Sequence, residues 1–505
     1  MLMHQLLLDG AARRPDAPCL RWTDRERALD YQGAVAAMEA AAGALAEVGV
    51  QAGDRVTIFA HNGLDYVVSM LGCWRLGAIA ALVNVNFIDE LDGYLGDHTP
   101  TAVVLTHDAL GPVRAAAAKL PGVRALLCMD GAMEGALSLP EMMAAHLPVP
   151  PDPWDETAVA HLSYTSGTTG RPKGACLAHE PTVRACRCIA ERLRLQAGDV
   201  SLGPTALSSS YQLVGNLLPA LAVGASAHVM TRWSPAAGWE ALEAAGANMI
   251  VGNPVLLADL LAEARHRGRP PAGLRLALTG GAPLPPQLKA AWRDELGLPI
   301  VESYGQSELG GFVALGFPEL VPEGGDLRRI GPPPPDKEVR IAGPDGWALP
   351  PGEVGEVQLR GGFMAGYFGR PEATAEATAG GWLRTGDLGL IDADGHVTLH
   401  GRIAEVIDVD GVRWFPRDVE EALGAVPGVA MAALVGLPEA SGRTRPVAFV
   451  TLLPEADHGP ETLAAALEGR TPHDPAAMEI RILPALPMTP TGKISKARLR
   501  AMAAP

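Results

Sequence analysis

The sequence predicts an α/β protein: a large N-terminal domain of layered α/β sheets with a small β-barrel-like part, followed by a small α+β C-terminal domain. Three observations carry this. Short apolar strand-like runs alternate with amphipathic helical runs from residue 31 to residue 283, the pattern of parallel sheets covered by helices. From about Ile330, glycine, proline and short alternating runs such as Glu356-Val-Gln-Leu-Arg360 take over, which suits small antiparallel sheet. After Gly401-Arg402 a compact pattern restarts and continues to the end. The boundary is placed at residue 403, giving units 1–402 and 403–505, the second a normal domain size of about a hundred residues.

In order, Val35, Met38, Ala42, Leu45 and Val48 recur at helical spacing and Gly49 supplies a stop, so a helix is expected over 31–48. Arg55 to Ala60 reads as a strand, Gly63 to Leu76 as a helix, and Ala78 to Val85 and Thr101 to Thr106 as buried strands. Ala158, Ala160 and Leu162 alternate into another strand. Ala247 to Val251 is a strand, Pro254 to Arg265 a helix, and Leu274 to Leu278 a strand that ends in Thr279-Gly-Gly-Ala-Pro283. The four prolines from Pro332 to Pro335 are a stiff connector. In the last unit, Ile403 to Val409 is strand-like, Pro416 to Leu423 helical and Met431 to Val435 a strand.

Composition narrows the function classes. Hydrophobic residues are 48% and charged residues 19% of 505, ordinary for a globular protein. The net charge of −16 and the lack of a basic stripe argue against nucleic acid as a partner. Anionic ligands must then be held by local donors. The cysteines Cys19, Cys73, Cys128, Cys176, Cys186 and Cys188 include no CxxC pair, so buried thiols in a reducing compartment are expected. No basic, apolar leader opens the chain and no uncharged run reaches spanning length, which makes the cytoplasm the expected location.

The densest chemistry lies in Leu162-Ser-Tyr-Thr-Ser-Gly-Thr-Thr-Gly-Arg-Pro-Lys-Gly174, with five serine or threonine hydroxyls, three glycines and one lysine in thirteen residues. Glycines let backbone N–H groups approach a ligand, and hydroxyls and a lysine add donors for phosphate oxygens. Pro172 before Lys173 and Gly174 after it rule out the usual P-loop, whose lysine opens a helix. A plain Ser/Thr/Gly linker is the alternative, disfavoured by the apolar strand-like segments on both sides.

Four further segments have unusual composition: Gly280-Gly-Ala-Pro283, Glu302-Ser-Tyr-Gly-Gln-Ser-Glu308, Trp382-Leu-Arg-Thr-Gly-Asp387 and Pro487-Met-Thr-Pro-Thr-Gly-Lys493. In this order, with the loop and with Gly401-Arg402, they give the chain a resemblance to the adenylate-forming superfamily of acyl-CoA synthetases, luciferases and peptide-synthetase adenylation domains. The resemblance spans nearly the whole chain and is most like a bacterial acyl-CoA ligase. It implies a two-step reaction. A carboxylate attacks the α-phosphorus of ATP to give an acyl-adenylate and pyrophosphate; a thiol, usually of coenzyme A, then displaces AMP. It also implies a mobile C-terminal domain that rotates between the steps.

The same resemblance assigns roles. Thr165, Ser166, Gly167, Thr168, Thr169 and Lys173 would hold the β- and γ-phosphates, stabilising departing pyrophosphate. Glu308, with Thr165 as a second contact, would hold Mg²⁺, a hard cation suited to oxygen ligands. Gly281, Ala282 and Pro283 with Glu302, Ser303, Tyr304, Gly305 and Ser307 would line the adenine slot, the Tyr304 ring being available for stacking. Asp387 would accept from the ribose hydroxyls, Arg402 would reach the ribose or phosphates, and Gly411 would belong to the loop beside the pantetheine arm. Lys493 would be the mobile cation bridging carboxylate and α-phosphate, making Lys493, Glu308 and Arg402 the catalytic set. Ser209, Tyr211, Val214, Gly281, Gly305 and Phe312 would line the acyl pocket, with Leu309 apolar beside them and Gly310 and Gly311 leaving room, so a mainly hydrophobic acid is expected. His179, at a position where the family often has histidine, is expected to be structural.

Three positions depart from the family pattern. Ser209 stands where many acyl-CoA synthetases have histidine, Ala404 where the hinge usually has aspartate or lysine, and Asp408 where lysine is common. They leave open a protein specialised for one half-reaction, thioester formation from a supplied acyl-adenylate. Loading of a carrier-protein thiol is a second alternative, and a nucleotide-binding protein without chemistry is a third.

Overall fold

The computed structural model describes residues 1–165, 172–439, 443–489 and 493–503. Two eight-stranded sheets carry the N-terminal part. One runs in the order Gly366–Tyr367, Lys173–Ala178, Val159–Thr165, Ile79–Leu82, Arg55–Phe59, Ala102–Leu105, Ala125–Cys128 and Leu137–Ser138. Its pairs are parallel except where Val159–Thr165 and Gly366–Tyr367 run against Lys173–Ala178. The other runs Ala314–Leu315, Ile300–Tyr304, Leu276–Thr279, Met249–Val251, Val200–Gly203, Ser226–Val229, Pro18–Trp22 and Arg27–Asp30, parallel but for its two edges.

Local chemistry sets the helices. The helix Tyr31–Glu47 is capped by Asp30, whose Oδ1 accepts from the Gly33 N–H at 2.6 Å, and the chain leaves it through Gly49 at φ +84°. The helix Pro254–Arg267 has Asn253 as its cap, Pro254 in its first turn and Gly268 at φ +70° beyond its end. Its buried Leu257, Leu260, Leu261 and Ala264 recur at helical spacing and share a core with Trp239 and Trp292.

Glu338–Ala342, Gly355–Arg360, Leu383–Ile391 and Val397–Arg402 form a separate four-stranded antiparallel sheet. Its core joins Val357, Leu359 and Leu383 to Tyr304, Leu309 and Val313, so it packs against the end of the second large sheet. The C-terminal part has a three-stranded sheet, Val429–Pro438, Thr444–Leu452 and Glu479–Ile482. One face packs Leu434, Ala448 and Val450 with Trp414, Val419 and Leu423; the other packs Val435, Val447 and Phe449 with Leu486 and Leu499.

Two expected strands are shorter than their apolar runs. Ala78 to Val85 yields only Ile79–Leu82, because Asn84 caps a 3₁₀ turn at Val85–Glu90. Ile403 to Val409 yields only Ile407–Val409, with Ile403–Glu405 forming a 3₁₀ turn that leaves Ile403 exposed. All six cysteines are free, five buried and Cys188 half-buried, and no helix among the described residues is long and apolar enough to cross a membrane.

Candidate active site

The parallel pairing of Leu276–Thr279 with Ile300–Tyr304 brings their C-terminal ends side by side, the usual place for a ligand crevice in such sheets. Gly280 and Gly281 leave the first strand and Gly305 the second. A Cβ on Gly280 would lie 2.4 Å from Ser303 Oγ, and Gly281 sits at φ +78° with open space around it, so on this wall lack of room at the first and backbone conformation at the second favour glycine. Gly281 and Pro283 are exposed and Ala282 half-buried along it.

Asp387 stands across from this wall. The antiparallel register of Leu383–Ile391 with Val397–Arg402 sets it opposite Arg402, and Arg402 Nε lies 2.7 Å from Asp387 Oδ1. Tyr304 Oη donates to Asp387 Oδ2 at 2.6 Å, and Gln306 Nε2 donates to the same oxygen at 2.7 Å and to the Thr385 carbonyl at 2.8 Å. Burial raises the carboxyl above the usual aspartate value, while Arg402, Tyr304 and Gln306 pull it back. The Tyr304 hydroxyl therefore serves as an anchor for Asp387, beside the stacking surface expected of its ring.

Lys493 belongs to the same crevice. As a residue it is exposed, yet its ammonium is crowded. Desolvation lowers it from the ordinary lysine value, Arg402 lowers it further, and Asp387, Glu308 and Glu405 work the other way. Glu308 is held by Tyr367, whose hydroxyl donates to Oε1 at 2.8 Å. Lys173 Nζ lies 5.4 Å from the centroid of the same Tyr367 ring, because Gly366–Tyr367 pairs antiparallel with the strand that Lys173 opens. The lysine before the sheet and the carboxylate expected to hold a metal thus meet on one tyrosine. Next to them, Arg370 pairs with Asp97 and donates to the Pro172 carbonyl at 3.1 Å. The Tyr164 hydroxyl donates to Asp97 at 3.2 Å. Thr165 ends the strand Val159–Thr165; Ser166, Gly167, Thr168 and Thr169 lie outside the described residues.

On the acyl side, Tyr211 Oη donates to the Leu278 carbonyl at 2.8 Å, and its ring lies 6.1 Å from that of Phe312 at 44°. Gly215 faces Leu278, Val251 and Tyr211, and Gly305 faces Phe312. Val214 is buried in the main core, and Ser209 is exposed at the start of the helical turn Ser210–Gln212.

Several expected roles are revised. Glu302 does not offer its carboxylate to the adenine slot: it is buried 3.6 Å from Lys289 Nζ, an opposite charge that offsets its desolvation. Ser303 Oγ is committed to the Thr279 carbonyl at 2.8 Å. Leu309 packs in the core of the antiparallel sheet. Gly310 and Gly311 make no room for an acid. A Cβ on the first would lie 2.8 Å from Thr182 Oγ1 and one on the second 2.6 Å from the Ala185 methyl, so they let this segment lie flat on the helix His179–Arg192. Ser307 is half-buried at the crevice. Gly411, at φ +84°, closes a turn by donating its N–H to Asp408 Oδ1 at 2.8 Å. His179 is structural: buried, pushed down to about 3 by desolvation, its Nδ1 accepts from the Met3 N–H at 3.1 Å.

Gln306 and Tyr367 bond candidate site residues, Asp387 and Glu308, and composition did not reveal them. Gln306 lies inside the Tyr304–Glu308 segment, between residues of more distinctive chemistry. Tyr367 had no local signal, since only strand pairing brings it to Glu308.

The comparisons identify the family. The AMP-binding enzyme model matches residues 7–368 and the AMP-binding enzyme C-terminal domain model matches residues 418–493. A sulfoacetate–CoA ligase of Cupriavidus necator is 32% identical over 503 residues, covering 98% of this chain and 96% of the relative. A feruloyl-CoA synthase of an Amycolatopsis species is 31% identical over 462 residues, covering 91% of each. The crystal structure of the anthranilate CoA ligase AuaEII with anthranoyl-AMP superposes with a TM-score of 0.91 at 24% identity, covering 100% of this chain and 97% of that one, a likeness of fold. The chain belongs to the AMP-binding enzyme family of adenylate-forming enzymes, in which the two curated relatives named above are acid–thiol ligases.

Proposed function

We propose that this protein is an ATP-dependent acyl-CoA ligase that activates a mainly hydrophobic carboxylic acid. The observation that carries the proposal is the Asp387–Arg402 pair anchored by Tyr304 and Gln306, with the Lys493 ammonium within electrostatic reach of Asp387, Arg402 and Glu308. Asp387 offers its carboxylate to ribose hydroxyls, already oriented by three donors. Lys493 and Arg402 place positive charge where an acid's carboxylate would meet the α-phosphate, so repulsion between two anions is offset as the bond forms. The carboxylate oxygen then displaces pyrophosphate, and the thiol of coenzyme A displaces AMP from the acyl carbon, releasing its proton.

Glu308 is the carboxylate available for Mg²⁺ and Tyr367 orients it; the ion would neutralise the leaving phosphates. Tyr211, Phe312 and the bare edges of Gly215 and Gly305 favour an apolar acid, nearer to ferulate than to sulfoacetate. The position of Lys493 favours a complete ligase over one restricted to the second step. Asp408 spends one carboxylate oxygen on the turn at Gly411, which accounts for an acidic residue there without a change of chemistry. We place the hinge at Ala404, in the exposed turn Ile403–Glu405 between units 1–402 and 403–505.

An acid panel, with AMP and pyrophosphate measured separately with and without coenzyme A, tests the proposal. Pyrophosphate release with aryl or alicyclic acids, followed by thioester on adding coenzyme A, is expected. Thioester formation only from supplied acyl-adenylate would overturn it, and transfer only to a holo-carrier protein would replace the acceptor.

A further inference from the structure

We propose that Arg328 is a positioning residue: its ion pairs with Asp418 and Glu421 hold the C-terminal domain in the orientation that delivers Lys493 to the crevice. The inference rests on the two-step reading above. Arg328 belongs to the connection between the second large sheet and the antiparallel sheet, whereas Asp418 and Glu421 lie on the helix Pro416–Gly424. Arg328 Nη2 donates to Asp418 Oδ1 at 2.6 Å, and Arg328 Nε lies 2.8 Å from Glu421 Oε2.

Both sides are prepared for this contact. Lys289, buried, donates to the Leu327 carbonyl at 3.3 Å and the Arg329 carbonyl at 3.0 Å. It thereby fixes the backbone on either side of Arg328. The same Lys289 is paired with Glu302, so Arg328 is presented from the strand that ends in Tyr304, the anchor of Asp387. On the C-terminal side, buried Arg417 Nε donates to Glu421 Oε1 at 2.5 Å, leaving Oε2 for Arg328. His400 Nδ1 stands 4.0 Å from Asp418, and its ring packs 5.8 Å from that of Phe415.

The contact is built to open. Gln287, Arg328, His400, Asp418, Glu421 and Arg470 line a crevice of about 510 Å³, and the Arg328 side chain is 32% exposed. Water can replace either partner, so the pairs bias an equilibrium between orientations without locking it. A buried pair in this place would oppose the rotation that the second step requires.

The test compares the two half-reactions in Arg328→Ala. Pyrophosphate formation should slow about tenfold, about 1.4 kcal/mol, while thioester formation from pre-made acyl-adenylate and coenzyme A holds or accelerates. Arg328→Glu should behave similarly, and adding Glu421→Arg to it should restore part of the first step. Equal losses in both halves, or none, would overturn the proposal. An independent readout uses spin labels at exposed Val255 and Glu468 in a Cys188→Ser background. Arg328→Ala should add a second distance to the wild-type distribution; an unchanged distribution would also overturn the proposal. If no acid is activated by the wild type, the functional reading fails while the label distances still judge the latch.

Discussion

The Asp387 and Arg328 clusters use similar chemistry and differ in where their partners come from. Asp387 is met by Tyr304, Gln306 and Arg402, all on elements packed around the antiparallel sheet. Arg328 is met by Asp418 and Glu421, across a water-accessible crevice and within or beside the matched C-terminal domain. The first cluster is pre-organised: its carboxylate is buried and its three donors are already in place. The second is conditional, since it exists in one orientation of the C-terminal domain. The two-step reaction proposed above would use both kinds, a fixed half to hold the nucleotide and a movable half to exchange Lys493 for the second step.

The largest effect should come from removing what the movable half delivers. Lys493→Ala is expected to cut pyrophosphate formation by ~10²–10³-fold, about 3–4 kcal/mol of transition-state stabilisation, while thioester formation from supplied acyl-adenylate stays within about twofold. Equal loss of both would erase the distinction between the halves. Because crowding lowers the Lys493 ammonium below an ordinary lysine, the first step should also fail as pH rises through that lowered value, at lower pH than a solvent-exposed lysine would cause. A pH–rate profile of pyrophosphate release, with the second step as control, checks the sign.

A smaller effect should follow from loosening the fixed half. Tyr367→Phe deletes the hydroxyl that donates to Glu308 but keeps the ring under Lys173. About 1 kcal/mol is at stake in such a hydrogen bond, so the Mg²⁺ concentration for half-maximal ATP binding, read by calorimetry, should rise roughly fivefold. An unchanged Mg²⁺ dependence would remove Tyr367 from the site.

A further effect concerns the scaffold both halves share and acts on stability, not on rate. His161 is buried in the first large sheet, His98 at the end of the helix Leu91–His98 and His179 at the start of the helix His179–Arg192, and desolvation pushes each down to about 3. Their folded values lie below the ordinary 6.5, so between about 6.5 and 3 the unfolded chain binds protons the folded chain refuses. Stability should therefore fall as pH drops below about 6.5, by up to about 1.4 kcal/mol per pH unit for each histidine. Urea midpoints at pH 7.5 and 5.5 measure this, and His161→Phe should flatten the decline. A midpoint that does not move would show these groups already protonated in the fold.

How far the sequence alone reached can be judged from these same residues. The alternation of strand and helix, the stop at Gly49 and the order of the site segments were legible, because each depends on periodicity or on backbone freedom within a few residues. The residue types of Asp387, Arg402, Glu308 and Lys493 were legible too, and they are ones that suit a nucleotide and a carboxylate. Only the tertiary structure decided who partners whom. Tyr367 reaches Glu308 across 59 positions and Arg328 reaches Asp418 across 90. Glu302 is turned to Lys289, and Gly310 and Gly311 to a helix, although their motif suggested a ligand. A side chain's local pattern states what it can bond, while the packing of distant strands and of the second domain determines which of those bonds is within reach.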